Sequence, residues 1–176
     1  MQSQYTCCKL CPRACKVDRN SGQLGFCGGA NIPEINKIAL HFMEEPVISG
    51  DRGSGTVFFT HCTLGCIFCQ NRDISRKTSI GKKYSNKELA EAYIRLQGMG
   101  AHNINLVSPT HYLPSVIESI KIAKLNGLTL PIVYNTGGFE RAENIAMLKN
   151  VVDIFLTDIK YYSPYLSGQY SGSEDY

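Results

Sequence analysis

The chain has 176 residues, of which 43% are hydrophobic and 19% are charged, and its formal net charge is +3. This length suits one domain with a small appended module, and the composition is ordinary for a soluble globular protein. The small charge argues against a nucleic-acid partner, and the lack of a long apolar stretch argues against a membrane span. The chain has eight cysteines, and we expect no apolar leader. Cysteines in a reducing cytoplasm are more often metal ligands than disulfides, so we expect a cytoplasmic protein with metal sites.

The N-terminal part of the chain, residues 1–54, is expected to form a small cysteine-rich segment. It contains a four-thiol set that begins with a CxxC knuckle, and the set comprises Cys8, Cys11, Cys15 and Cys27. A CxxC knuckle suits zinc and an iron–sulfur cluster about equally well. We therefore predict zinc or a second iron–sulfur cluster at these cysteines, and a set without metal is the alternative.

A second cysteine pattern, CxxxCxxC, follows the strand-like run at 56–60 and contains Cys62, Cys66 and Cys69. Three thiolates hold three irons of a four-iron cluster and leave the fourth iron open to a small-molecule ligand. A zinc site usually adds a second pair of ligands downstream, but no cysteine follows Cys69 in the sequence. A fourth ligand from the N-terminal segment and a thiol cluster without metal are the other options.

Residues 55–176 alternate between short apolar runs and helical patterns, which predicts consecutive βα units on a parallel sheet. Strands are predicted at 56–60, 103–107, 130–134 and 151–156. Ser85 opens a helix through a capping box with Glu88, Pro114 begins the next helix, and a third helix spans 140–148. Polar and glycine residues follow each strand, and the loops after parallel strands meet at one rim of the sheet.

The last residues, 161–176, show no helical or strand period. We expect an α/β fold that is truncated after its fourth parallel strand, with the tyrosines of this tail hanging loose. The alternative is a short natural form that completes its sheet with another subunit, because an uncovered edge strand needs a partner.

These motifs resemble the radical S-adenosylmethionine (SAM) superfamily, whose CxxxCxxC motif often carries an aromatic residue where Phe68 stands. The resemblance implies that SAM chelates the open iron of a 4Fe-4S cluster, and that one electron then cleaves SAM to a 5'-deoxyadenosyl radical. Phe68 is accordingly expected at the cofactor site. The resemblance also implies a partial (β/α) barrel with more βα units than the four that this chain supplies.

Within the superfamily, the chain is most similar to the branch of pyruvate formate-lyase activating enzymes that carries an N-terminal cysteine-rich segment. The similarity covers nearly the whole chain and includes the stretches 8–15, 25–28, 39–49, 65–71, 101–111 and 152–160. It implies an anaerobic setting, an electron donor such as flavodoxin or ferredoxin, and hydrogen abstraction from a protein or small-molecule substrate. The alternatives are a radical SAM enzyme of cofactor or peptide maturation and a non-catalytic iron–sulfur or zinc-binding protein.

The resemblance also implies which residues lie near the SAM carboxylate. Activating enzymes carry Asp-x-Lys after the fourth strand, which Asp158 and Lys160 match here. They carry a polar stretch after the third strand, which Asn135 and Thr136 match without its usual acid.

The contact to the SAM amino group is expected after the second strand. Many radical SAM proteins place Gly-Gly-Glu at this point, whereas this chain has Ser-Pro-Thr-His at 108–111. Thr110, His111 or backbone carbonyls are therefore expected to make the contact, and the alternative for His111 is local packing against the next helix. We assign no catalytic acid or base, because the chemistry requires none.

Overall fold

Within residues 3–176, which the computed structural model describes, a six-stranded sheet organises the protein. Its strands are β1 Glu34–His41, β2 Ser54–Phe59, β3 Lys82–Lys83, β4 Ile104–Val107, β5 Ile132–Thr136 and β6 Ile154–Thr157. They lie in the order β3-β1-β2-β4-β5-β6, with β2, β4, β5 and β6 parallel and β1 antiparallel to both neighbours. The predicted α/β fold with a partial β/α architecture is confirmed.

Two long helices, α4 and α5, cover one face of this sheet. The helices are α1 Ser3–Thr6, α2 Pro46–Ser49, α3 Arg72–Ser75, α4 Asn86–Gly98, α5 Leu113–Leu125, α6 Ala142–Met147 and α7 Pro164–Ser171. The predicted capping box begins α4, because the Ser85 hydroxyl accepts from the Glu88 N–H at 3.3 Å and the Glu88 carboxylate accepts from the Ser85 N–H at 2.8 Å. None of the helices in the described residues is long and apolar enough to cross a membrane.

The core lies between the sheet and these two helices. It is formed by fully buried side chains from strands and helices, among them Val57, Phe59, Ile104, Leu106, Ile132, Tyr134, Leu89, Tyr93, Leu96, Val116 and Ile120. Strand side chains alternate in direction, so the intervening residues point to the opposite, inner face. That face carries polar side chains such as Thr56, Asn105 and Asn135.

Strand β1 joins the N-terminal segment to the parallel sheet. It lies within residues 1–54 and pairs with β2 from Ile35 opposite Phe59 to His41 opposite Ser54. The sheet therefore crosses the predicted boundary between residues 54 and 55. The sequence did not predict β1, because its register shifts at Asn36 and this irregularity interrupts the alternation of polar and apolar residues.

The tail at 161–176 is folded, so the expectation of a loose tail is wrong. Ser163 caps α7 through the Leu166 N–H at 3.5 Å, and Gly172 follows the helix with φ +65°. The Tyr176 hydroxyl accepts from the Lys160 N–H at 2.7 Å. Tertiary contacts rather than an apolar stripe hold this tail, which explains why its sequence shows no helical period. In the part of the chain that the structure describes, no strand follows β6, and its outer edge is unpaired.

Candidate active site

The carboxyl ends of the parallel strands border one cavity. Its lining includes the cysteines of the loop after β2, namely Cys62, Cys66 and Cys69. Residues that follow the other three parallel strands complete it, among them Ser108, Thr110, Asn135, Thr136, Gly137, Asp158 and Lys160. Parallel strands bring their following loops to the same end of the sheet, which is why residues far apart in sequence meet here.

The cysteine loop positions its sulfurs through local hydrogen bonds. Cys62 Sγ accepts from the backbone N–H groups of Leu64 and Gly65, and the Ser75 hydroxyl donates to Cys69 Sγ at 3.4 Å. Burial raises the pKa of the Cys62 thiol, because a thiolate is poorly solvated there. A cationic centre at the sulfurs would offset that penalty, since metal coordination favours the deprotonated thiol.

Cys62, Cys66 and Cys69 are free thiols that line one cavity. All eight cysteines are free thiols. Among residues 3–176, no group of three or more His, Cys, Asp or Glu side chains is arranged to hold one metal ion. A zinc site needs its sulfurs about 2.3 Å from one point, whereas a four-iron cluster takes a cysteine at each of several separate corners. The three cysteines border a common cavity, so the donor set fits the cluster.

Comparison with known proteins identifies the family. Residues 56–171 match the family model of the Radical SAM superfamily, and this range contains the cysteine loop and all four parallel strands except the first residues of β2. The chain belongs to the radical SAM superfamily. Members of this superfamily use a 4Fe-4S cluster and SAM, so membership implies these two cofactors.

A similarity beyond the domain itself is found with the uncharacterized protein MJ0674 of Methanocaldococcus jannaschii. The two sequences are 34% identical over 164 residues, which cover 88% of this chain and 45% of that protein. The chain therefore spans somewhat less than half the length of this relative.

Asp158 and Lys160 form an ion pair at the rim of the radical SAM cavity, with 2.6 Å between the Asp158 carboxylate and Lys160 Nζ. Burial alone lowers the pKa of Lys160, but the hydrogen bond and charge of Asp158 outweigh burial, and the net shift is upward. Lys160 is therefore cationic at neutral pH. It is the one Lys or Arg among the described residues that line the cavity.

Asn135 is held from the inner face of the sheet by a carboxylate that lies outside the radical SAM match. Glu44 Oε2 accepts from Asn135 Nδ2 at 2.9 Å and from Asn105 Nδ2 at 3.1 Å. The side-chain nitrogens of both asparagines are thus engaged, which leaves the side-chain Oδ1 of Asn135 to face a ligand, since its backbone carbonyl accepts from the Ser108 N–H at 2.9 Å. Glu44 precedes the short helix α2, so the N-terminal part of the chain supports the cavity.

A buried acid that the sequence did not single out lies beneath the cavity. Glu140 Oε1 accepts from the hydroxyls of Thr110 at 2.5 Å and Thr136 at 2.6 Å, and from the Tyr134 hydroxyl at 3.4 Å. Burial raises the pKa of Glu140 in spite of these three hydrogen bonds. Its Oε2 is buried without a hydrogen-bond partner among the described residues. The sequence offers only an acidic residue four positions after Thr136, at the start of the predicted helix 140–148.

His111 lies away from the cavity. Its Nε2–H donates to the Thr60 carbonyl at 2.8 Å, and its side chain is 2% exposed. Burial, with the nearby Arg19 charge, lowers the pKa of His111 to about 3, so the ring is neutral. Of the two side chains expected to reach the SAM amino group, the structure places Thr110 in the cavity and His111 behind it.

Phe68 also lies outside the cavity lining. Its side chain is 54% exposed and packs edge-on against Tyr161 and Tyr170, with ring centroids 6.0 and 6.3 Å away. These contacts bring the tail against the cysteine loop. The backbone N–H of Ile67 donates to the Tyr170 carbonyl at 2.9 Å, which strengthens the same junction.

The N-terminal cysteines line a separate, second cavity. Its lining contains Cys8, Cys11, Cys15 and Cys27, together with Arg13, Arg19, Thr63 and His111. Burial raises the pKa of Cys11 to about 12 and also raises the pKa of Cys27. The structure thus brings together the four cysteines that the sequence grouped.

Proposed function

We propose that this protein is a radical SAM enzyme that abstracts hydrogen from its substrate after reductive cleavage of SAM, with Cys62, Cys66 and Cys69 as the ligands of its 4Fe-4S cluster. One observation carries the proposal: these three cysteines and the polar residues after β4, β5 and β6 line the same cavity. When bound, the cluster supplies one electron and SAM supplies the hydrogen-abstracting group.

The SAM ammonium is proposed to bind at the hydroxyls of Thr110 and Thr136. Both hydroxyl protons are directed to Glu140 Oε1, at 2.5 and 2.6 Å. A hydroxyl that has donated its proton presents lone pairs elsewhere, and lone pairs are what an ammonium group needs. Thr110 Oγ1 also accepts from the Tyr134 hydroxyl at 3.4 Å, and Thr136 Oγ1 accepts from the Gly138 N–H at 3.3 Å. Each hydroxyl therefore keeps one lone pair for a ligand in the cavity that both residues line.

The SAM carboxylate is proposed to bind near Lys160. This lysine is the cationic side chain of the cavity, and Asp158 restrains its Nζ at 2.6 Å. A restrained ammonium gives a carboxylate a defined point of attachment, whereas a free lysine would first have to lose its side-chain freedom. The side-chain Oδ1 of Asn135, whose amide is fixed by Glu44, is available to a polar group between these two ends.

Apolar residues of distant segments shield part of the cysteine loop from water. Leu64, Cys66 and Phe139 form a small buried cluster, and Tyr161 and Tyr176 pack against it. Radical chemistry benefits from such shielding, because it prevents reactive species from being quenched by side reactions. The chain's own part in the reaction is therefore to bind, orient and shield.

The substrate class is proposed from the resemblance to activating enzymes. We infer that the enzyme acts on a protein, as an activase of a glycyl radical enzyme, with a flavodoxin or ferredoxin as the electron donor in an anaerobic cytoplasm. A radical SAM reaction of cofactor or peptide maturation would use the same cavity and differ only in the substrate.

The test begins with anaerobic reconstitution with iron and sulfide. The protein is then incubated with dithionite and SAM, and 5'-deoxyadenosine is measured by mass spectrometry. We expect cluster absorbance and 5'-deoxyadenosine from the wild type, and neither cluster at this site nor product from the triple variant Cys62→Ala/Cys66→Ala/Cys69→Ala.

Cys7→Ala is the matched control, because Cys7 is exposed and lines neither cysteine cavity. This variant should behave as the wild type does. A wild-type protein that carries its cluster and yet yields no 5'-deoxyadenosine would identify a non-catalytic iron–sulfur protein. If product does form, a candidate glycyl radical enzyme is added, and an organic radical signal in its electron paramagnetic resonance (EPR) spectrum distinguishes an activase from a maturation enzyme.

A further inference from the structure

The four N-terminal cysteines form a built site in which every sulfur receives a hydrogen bond. Arg19 Nη1 donates to the sulfur of Cys8 at 3.8 Å, and the backbone N–H of Arg13 donates to that of Cys11. The sulfurs of Cys15 and Cys27 accept from the backbone N–H groups of Phe26 and Gly29, each at 3.4 Å. Hydrogen bonds from N–H groups stabilise sulfur in its negatively charged form. These donors favour thiolates, and a bound cationic centre would offset the burial that by itself favours the neutral thiols of Cys11 and Cys27.

Two residues beside Cys15 adopt a strained backbone conformation. Ala14 and Lys16, which flank Cys15, both adopt positive φ, at +40° and +58°. Non-glycine residues rarely adopt this conformation, and it persists only where surrounding structure enforces it. At Gly25 a Cβ atom would lie 3.0 Å from Cys15 Sγ, so the chain also needs a glycine for the close approach.

Two arginines supply positive charge to the site. Arg19 is 2% exposed, and its guanidinium donates to the His111 carbonyl at 2.6 Å and to that of Ala30. Burial lowers the pKa of Arg13, whereas electrostatic attraction to nearby cysteine sulfurs raises it. These cysteines come from both sets: Cys11, Cys15 and Cys27 from one, and Cys62 from the other. Positive side chains between the sets would partly neutralise the negative charge of thiolate ligands.

The four sulfurs line one cavity, as the three sulfurs of the superfamily's 4Fe-4S motif line the other. A four-iron cluster takes a cysteine at each of its corners, so four thiols around one cavity match its ligand set.

The two cysteine cavities are next to each other. Thr63, the residue after Cys62, lines both of them. Arg13, from the loop between Cys11 and Cys15, donates from Nε to the Thr63 carbonyl at 2.7 Å and from Nη2 to the Leu64 carbonyl at 2.9 Å. The two cavities therefore share a lining residue and are bridged by one side chain, and such adjacency is what electron transfer over a short distance needs.

We propose that Cys8, Cys11, Cys15 and Cys27 hold a second, redox-active iron–sulfur cluster that relays electrons to the site at Cys62, Cys66 and Cys69. A ferredoxin- or flavodoxin-type donor loses one electron, the N-terminal cluster is reduced by one electron, and it is reoxidised when that electron passes to the second site. No bond forms or breaks in the relay. The electron's destination rests on the proposed function, whereas the presence of the cluster does not.

The presence of the cluster is tested in the triple variant Cys62→Ala/Cys66→Ala/Cys69→Ala, which leaves the N-terminal set and the exposed Cys7. After anaerobic reconstitution we expect about four irons per chain, against about eight in the wild type, and a cluster EPR signal on reduction. Zinc in place of iron, or no iron at all, would overturn the proposal. This result does not depend on any reaction with SAM.

The relay is tested with Cys11→Ala/Cys15→Ala, with Cys7→Ala as the matched control. Stopped-flow absorbance follows reduction of the remaining cluster by reduced flavodoxin and, separately, by dithionite. We expect reduction by flavodoxin to slow at least tenfold and reduction by dithionite to stay within twofold of the wild type. Equal rates with flavodoxin would refute the relay. If this variant does not fold, the EPR spectrum of the reduced wild type replaces it. Magnetic interaction between the two clusters would support the relay, and its absence would show that they are too far apart and refute it.

Discussion

Arg13 is expected to be the side chain whose loss most weakens the junction between the two cysteine sets. Besides its bonds to the Thr63 and Leu64 carbonyls, its guanidinium donates to the Ser171 carbonyl at 2.6 Å and the Gly172 carbonyl at 2.9 Å. It also lies over the Phe26 ring, 3.3 Å from the centroid. One residue thus connects the N-terminal loop, the cysteine loop and the end of α7.

The size of the effect follows from these contacts. A hydrogen bond from a charged donor stabilises a fold by about 1.5–3 kcal/mol when buried, and because Arg13 is half-buried we take about 1 kcal/mol for each of its four. Stacking on Phe26 adds about 0.5 kcal/mol. Release of the side chain in Arg13→Ala regains about 1.5 kcal/mol of rotamer entropy. The variant should therefore lose about 3 kcal/mol of unfolding free energy.

Thermal and denaturant unfolding of the reconstituted protein under anaerobic conditions measure this loss. For a chain of this size, about 3 kcal/mol corresponds to a fall in Tm of roughly 6–12 °C. Arg13→Lys should lose most of the same stability, because one ammonium group cannot replace a guanidinium that binds four carbonyls in fixed directions.

Arg141→Ala is the control for a lost arginine charge. Arg141 makes an exposed ion pair with Glu143 at 3.0 Å, and exposed pairs of this kind contribute little to stability. We expect no measurable change in Tm. If Arg13→Ala matched Arg141→Ala, the guanidinium would not connect the three segments, and the reasoning would be refuted.

Three further predictions concern the cavity and its surroundings. Burial raises the pKa of Glu140 above its ordinary 4.5, so ionisation of this carboxyl disfavours the folded state. In denaturant unfolding, the stability of the wild type relative to Glu140→Gln should therefore fall as pH rises above about 4.5. A difference that stays constant with pH would contradict this. Lys160→Met should weaken SAM binding to the reconstituted protein about tenfold, which corresponds to the loss of one charge-assisted hydrogen bond of about 1.4 kcal/mol. Calorimetry measures this affinity, and an unchanged value would exclude Lys160 from the carboxylate contact. With its pKa lowered from 6.5 to about 3, His111 should show constant imidazole NMR shifts from about pH 5 to pH 8, and a titration in that range would mean that the ring is not buried in solution.

The parallel strands and the two long helices were predictable because local and tertiary signals agree there. Ser85 and Glu88 form the capping box that their spacing indicates, and the apolar residues of α4 and α5 are buried where their period places them. The cavity was predictable for a related reason. Once the strands are known to be parallel, the residues that follow them must meet at one end of the sheet, and Thr110, Thr136 and Asp158 do so.

The features that sequence alone did not reveal depend on contacts between distant segments. Helix α7 has no apolar stripe of its own and is fixed from outside, through Arg13 at its C-terminal end and Ile67 at the Tyr170 carbonyl. Glu140 has no motif around it, and its role appears only when β4 and β5 bring two threonines to the same carboxylate oxygen. Periodicity reports burial along one element, so it carries no information on such junctions.

The path of the N-terminal chain has a consequence for how the two cysteine sets act together. After Cys27 the chain enters β1, which is paired with β2 along almost its whole length, and β2 leads directly into the loop that begins with Cys62. The N-terminal cysteines are thus attached to the cysteine loop both through the sheet and through Arg13. Occupation of one set should therefore order the other, because residues shared by two sites transmit constraint in both directions. Iron loaded at the N-terminal set should make the loop with Cys62, Cys66 and Cys69 exchange its amide hydrogens more slowly, even in the variant that lacks those three thiols.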